Sequence, residues 1–200
     1  MTAGRQNADT LHKDWGTPHK YVAASREALG GAISLDPCSN RWSVVGAETN
    51  WSLPEVDGLA EPWCYPTIYV NPPYGSDGER GTKISHWLRK CAGAFDDFGS
   101  EVVALVPVAA NTKHWKDSVW SKASSVCFLY DTRLRFLENG KDVGKGAPMA
   151  CATVYWGKSP DRFAMAFFRH GAVVNLKDVR IPPEWRMEDK GLFEADRRFG

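Results

Sequence analysis

A double proline at the end of a strand-type run constrains this chain more than any other feature. Thr67-Ile68-Tyr69-Val70 is rich in β-branched and aromatic residues, which favour a strand. Asn71-Pro72-Pro73-Tyr74-Gly75 follows at once. Neither proline can donate to a sheet ladder, so the strand must stop there. An amide side chain, a stiff backbone carbonyl and an aromatic ring are thereby held at the C-terminal end of a strand. In open α/β sheets that edge is where ligands bind.

This tip suits one chemistry. A planar exocyclic NH2 is a poor nucleophile because its lone pair is delocalised. The Asn71 side-chain oxygen and the Pro72 carbonyl can each accept one of its hydrogens. Two acceptors draw electron density onto the nitrogen and fix its direction toward an electrophilic methyl group. The Tyr74 ring offers a face on which a base can stack. A Pro-Pro turn with a buried Tyr is the plain structural alternative.

The length of 200 residues suits one domain. Hydrophobic content of 43% and charged content of 24% are those of an ordinary globular protein. No apolar run is long enough for a transmembrane helix, and Met1–Asn7 lacks a signal-peptide core. A cytoplasmic protein with no membrane partner is expected. The net charge of +1 leaves nucleic acid open, to be decided by local basic surface. Five widely spaced cysteines without a CxxC pair point to free thiols. The five scattered histidines suggest no metal site. The nine tryptophans are read mainly as core.

Residues 1–14 read as a flexible arm, 15–176 as the catalytic domain and 177–200 as a charged extension. Thr17 is suited to cap a helix that opens on Pro18 and stops at Gly30-Gly31. Ala32–Asp36 reads as a buried strand, halted by Pro37, with Asp36 at its binding edge. Residues 41–66 read as a long irregular connection. Gly75–Lys83 reads as a glycine-rich loop carrying Arg80 and Lys83. Ile84, Trp87, Leu88, Cys91, Ala92 and Phe95 then repeat at the helical period. Glu101–Val106 is a second buried strand. Asn111 or Thr112 is placed to cap a helix through Val119, and Val126–Tyr130 is a further strand. Alternating strands and helices predict a mostly parallel sheet. The basic loop 138–146 carries Lys141 and Lys145, and Ala152–Trp156 returns as the partner of an antiparallel C-terminal pair. A helix from Pro160 and a short strand at 172–176 close the domain.

In this order the pieces resemble the phage-type Dam-like DNA N6-adenine methyltransferases. The resemblance rests on Trp15-x-Thr17-Pro18, Leu35-Asp36-Pro37, Asp57-Gly58-Leu59 with Trp63, Asn71–Gly75, Val103–Pro107 and Arg133-Leu134-Arg135-Phe136. It implies a reduced class I (Rossmann-like) α/β sheet, S-adenosylmethionine as cofactor and DNA as partner. It also implies a bacterial host's cytoplasm as the setting; a monomer is assumed, the oligomeric state being left open by the sequence. Asn71, Pro72, Pro73 and Tyr74 would hold a flipped adenine. Trp15, Thr17 and Pro18 would lie at the methionine end of the cofactor. Asp36, Pro37, Asn40 and Asn71 would stand beside it, and Asp57 and Leu59 would border its adenosine. Arg80, Lys83, Lys141 and Lys145 are candidates for DNA phosphates.

The chain departs from the wider class I pattern in two places. No Gly-x-Gly loop follows the first strand, and the interval from Asp36 to Asn71 is too short for the usual strand-helix repeats. Cytosine C5 methylation is disfavoured, since Tyr74 and not a cysteine nucleophile follows the proline pair. Cytosine N4 methylation, protein-glutamine methylation and a non-catalytic DNA-binding protein remain alternatives.

Overall fold

The computed structural model describes residues 15–131 and 133–177. The expected N-terminal arm, and all of the expected C-terminal extension beyond Lys177, lie outside the described residues. In chain order the elements are β1 (Trp15–Gly16), α1 (His19–Ala28), β2 (Leu35–Asp36), β3 (Thr49–Asn50) and β4 (Thr67–Val70). Next come β5 (Ser76–Asp77), β6 (Thr82–Lys83), α2 (Ile84–Phe98) and β7 (Glu101–Pro107). A short α3 (Lys113–Trp115) continues as a π-helical turn over Lys116–Trp120. β8 (Ser125–Leu129), β9 (Leu137–Glu138), β10 (Lys141–Asp142), β11 (Cys151–Trp156), α4 (Pro160–Phe167) and β12 (Gly171–Asn175) complete it.

Seven strands form the central sheet in the order β12-β8-β11-β7-β4-β2-β3. The expected mostly parallel, Rossmann-like sheet is corrected here to a mixed one. β7–β4, β4–β2 and β2–β3 pair parallel, whereas β11–β7, β11–β8 and β12–β8 pair antiparallel. The physical reason is the position of β11. It slides between β7 and β8 and bonds both, so the two strands joined by a helix share a direction without being neighbours. Sequence alternation reports direction across a crossover, not adjacency.

Side chains alternate across the sheet at the strand period. Ile68, Val70, Val102, Ala104 and Val106 face α2, where Trp63, Trp87, Leu88 and Trp115 complete one apolar layer. Tyr69, Val103, Leu105 and Tyr155 face α1 and α4, meeting Tyr21, Ala28, Phe163 and Phe167. The apolar stripe of α2 is the one its sequence predicts, and the helix ends on Gly99 in the left-handed conformation (φ 71°). α1 stops at Gly30 and Gly31, both at positive φ. Two small ladders lie outside the main sheet. β5–β6 gives the Gly75–Lys83 loop a short hairpin, and β1–β9–β10 makes a three-stranded patch. The β9–β10 turn is Asn139-Gly140, with φ 51° and 75°.

Candidate active site

β4 is buried and runs between β2 and β7, so its exit brings Asn71 to the same sheet edge as Asp36. The Asn71 Nδ2 donates to the Trp15 carbonyl at 2.7 Å. A carbonyl only accepts, so this bond fixes which end of the amide is nitrogen. Oδ1 is left as an acceptor that no donor among the described residues occupies. Pro72 is buried and Pro73 exposed. The Asn71 backbone amide acts on the Cys38 thiol, favouring its ionised form, and the Cys38 N–H donates to Asp36 Oδ1 at 3.2 Å. Cys38 thus ties the two strand ends together. Burial pushes its thiol well above the ordinary value, and the Asp36 charge adds to that.

Asp36 is 3% exposed. Besides the Cys38 N–H it accepts the Ser43 hydroxyl, at 3.3 Å, with Ser39 also favouring its charged form, and no cation among the described residues pairs with it. Burial pushes its carboxyl up to about 6, against the hydrogen bonds that lower it. An acceptor-only group buried without a counter-ion favours a hydroxyl or amino donor from a ligand.

The Tyr74 ring is half-buried. Its hydroxyl donates to the Leu105 carbonyl at 3.1 Å. Burial pushes the phenol well above its ordinary value, so it stays a neutral donor. Phe136 meets Tyr74 edge-on (5.6 Å, 75°) and stacks on Trp15 (4.9 Å, 12°). Trp15 therefore braces the site twice, by its carbonyl on Asn71 and by its ring on Phe136. Phe136 as a wall of the site, and Cys38 as a tie, escape sequence reasoning about single residues. The available signal is the alternation in Arg133–Phe136, where Leu134 and Phe136 are buried and the arginines exposed.

Other expected residues take different positions. Thr17 is not a helix cap; its buried hydroxyl bonds the Tyr69 hydroxyl at 2.7 Å, behind the tip. Pro18 instead supplies the carbonyl that Tyr21 and Val22 bond at the start of α1. Thr112 likewise makes no side-chain cap and bonds the Ala109 carbonyl at 2.6 Å. Asn40 accepts the Trp42 N–H at 2.8 Å, closing a local turn. Pro37 is buried under the 57–59 turn: a Cβ on Gly58 would lie 1.8 Å from the Pro37 carbonyl oxygen. Asp57 accepts the Leu59 N–H at 2.9 Å and pairs with Arg80. Burial raises the Asp57 carboxyl, but Arg80 and the Leu59 amide outweigh it and hold it below the ordinary range. Lys83, Lys141 and Lys145 are exposed.

A surface groove of about 760 Å³ runs along α2, lined by Leu59, Trp63, Arg80, His86 and Lys90 among others. None of Asn71–Tyr74 reaches it. The tip lies at a sheet edge, outside that groove. Among the described residues no cluster of His, Cys, Asp or Glu is arranged to hold a metal ion. No helix among them is long and apolar enough to cross a membrane.

One family model matches the chain, over residues 5–179; its description is DNA N-6-adenine-methyltransferase (Dam). No curated protein and no solved structure matches it.

Proposed function

Since the chain belongs to the Dam family of DNA N-6-adenine-methyltransferases, we propose that it transfers a methyl group from S-adenosylmethionine to N6 of an adenine turned out of DNA. The observation that carries this reading is the Asn71–Trp15 bond, which commits Nδ2 and leaves Oδ1 as the acceptor that would work with the Pro72 carbonyl.

The edge fits the cofactor. Asp36 is a buried carboxylate with no cationic partner among the described residues, and a sulfonium amino acid attached to a ribose brings both hydroxyl and ammonium donors. Trp15, Pro18, Asp36, Pro37 and Leu59 would hold it, with Thr17, Asn40 and Asp57 bracing from behind. When bound, the cofactor supplies an electrophilic methyl on a positive sulfur.

The chain's own residues do the rest. Adenine leaves the stack at a cost of a few kcal/mol and packs against Tyr74, whose hydroxyl is already anchored. Asn71 Oδ1 and the Pro72 carbonyl each accept one N6 hydrogen, which orients the nitrogen. As the new N–C bond forms, positive charge grows on N6, and both acceptors stabilise it. Neither acceptor is a base. N6 therefore keeps both protons until bond formation acidifies them, and one then passes to water. Lys83, Lys141 and Lys145 are free to meet DNA phosphates, whereas Arg80 is committed to Asp57.

The test is incubation with labelled S-adenosylmethionine and unmethylated DNA, followed by nucleoside analysis. Label in N6-methyladenine supports the reading. Label in N4-methylcytosine or in protein, or cofactor binding without transfer, overturns it.

A further inference from the structure

Arg80 lies in the hairpin that leaves the Asn71–Tyr74 tip, yet its guanidinium turns away to Asp57. Asp57 opens a turn that is held from several sides. Its Oδ1 accepts the Leu59 N–H, and its backbone carbonyl accepts the N–H groups of Ala60 (2.9 Å) and Glu61 (3.3 Å). The Lys90 ammonium, from α2, donates to the Leu59 carbonyl at 3.1 Å. The buried Trp63 indole donates to the Gly58 carbonyl at 2.7 Å. On the opposite side Gly58 presses on Pro37, and only the absence of a Cβ permits that approach. Pro37 directly follows Asp36, the unpaired carboxylate of the sheet edge.

We propose that Arg80 is a positioning residue for the cofactor side of the site: its ion pair with Asp57 holds the 57–59 turn against Asp36-Pro37. This rests on the reading that the cofactor binds beside Asp36. A DNA phosphate contact is the rival role for Arg80. It would require breaking the pair and leaving Asp57 without its cation, while the exposed Lys83 is present three residues on. The groove along α2 is not a phosphate site by the same reasoning, since two of its cations, Arg80 and Lys90, already spend donors on the 57–59 turn. One consequence is a mechanical link: the segment that follows the catalytic tip also sets the cofactor edge.

Arg80→Ala, Arg80→Lys and Asp57→Asn test this. In ligand-free protein, amide hydrogen exchange at Leu59, Ala60 and Glu61 should quicken about five- to tenfold in Arg80→Ala, with partial rescue in Arg80→Lys. The calorimetric Kd for S-adenosylmethionine should rise by about the same factor, while kcat at saturating cofactor stays within about threefold. The DNA affinity and its salt dependence should not move. Asp57→Asn should reproduce the effect, and the double variant should be no worse than the worse single one. If Arg80→Ala instead lowers the log K against log salt slope by about one and leaves the cofactor Kd unchanged, Arg80 is a phosphate contact and the proposal is overturned. Unchanged exchange together with unchanged cofactor affinity also overturns it. A wild-type protein that binds no cofactor and methylates no DNA overturns the functional reading as well. A wild type that does both, beside an Arg80→Ala of normal cofactor affinity, overturns only the positioning role.

Discussion

The two halves of the central sheet are built on different terms. In the antiparallel half, β11 spans six residues, all buried, and bonds a strand on each side. Its Tyr155 stacks on Phe163 of α4, and Phe163 in turn packs tilted against Phe167 of the same helix. In the parallel half, β2 and β3 span two residues each. There the chain is held by side-chain bonds to backbone carbonyls, Asn71 to Trp15, Trp63 to Gly58 and Lys90 to Leu59, and by the hydroxyl pair of Thr17 and Tyr69. Ladder and apolar packing make the first half a frame. Pairwise polar ties make the second half a site, where carboxylate and amide groups are kept at an edge with acceptor capacity to spare. The proposed site and the ladder-built frame thus lie on opposite sides of β7.

The contrast is broken most severely by Phe163→Ala. Phe163 is fully buried and stacks on Tyr155 at 5.2 Å. Its truncation should cost about 3–5 kcal/mol in denaturant unfolding, with methyl transfer per folded molecule unchanged. A loss of turnover in the folded fraction would show that the frame and the site are not separable.

Asp36→Asn should act in the opposite sense on the other half. The Asp36 carboxyl lies at about 6 in the folded protein, above its ordinary 3.8. The folded state then holds this proton more tightly than the unfolded one. The group's contribution to stability is present at low pH and is lost as pH rises from about 4 through about 6. Ligand-free wild type should therefore fall relative to Asp36→Asn across that window, by an amount on the order of 3 kcal/mol. Above it the variant should be the more stable protein while binding S-adenosylmethionine at least about tenfold more weakly. Parallel unfolding curves at each pH, with calorimetric cofactor titrations, would check both. A variant that is less stable at neutral pH would contradict the picture of an unpaired buried charge.

The smallest effect belongs to the outlying three-stranded patch. Lys141 is exposed on β10 and Lys145 follows it. Each change to Ala should reduce the salt slope of DNA binding by about one, without altering thermal stability or cofactor affinity. Fluorescence anisotropy over a salt series would measure it.

The frame was more legible in the sequence than the site. β4, β7 and α2 follow from apolar runs and helical spacing, and the proline pair marks where β4 must end. β1, β9 and β10 are two residues long, and pairing that short is decided by tertiary docking rather than by local preference. The same holds for β11, whose insertion between two parallel-running strands changed the sheet from mostly parallel to mixed. At the site, Asn71, Tyr74 and Asp36 could be read from the edge they occupy. The bond that gives Asn71 its orientation comes from Trp15, and the wall beside Tyr74 comes from Phe136, both far along the chain. Thr17 shows the limit plainly. A threonine before a proline satisfies every local rule for a helix cap, yet a tyrosine on a neighbouring strand claims its hydroxyl.

The claim on which the account turns is that Asn71 acts through its side-chain oxygen and not through its bulk. Asn71→Leu keeps the size and removes the acceptor, at a cost of about 1 kcal/mol for the lost Trp15 bond. Single-turnover methyl transfer to saturating unmethylated DNA should fall by about 10³-fold, while cofactor affinity stays close to wild type. Transfer within about tenfold of wild type in the folded variant would contradict the acceptor role and the mechanism built on it.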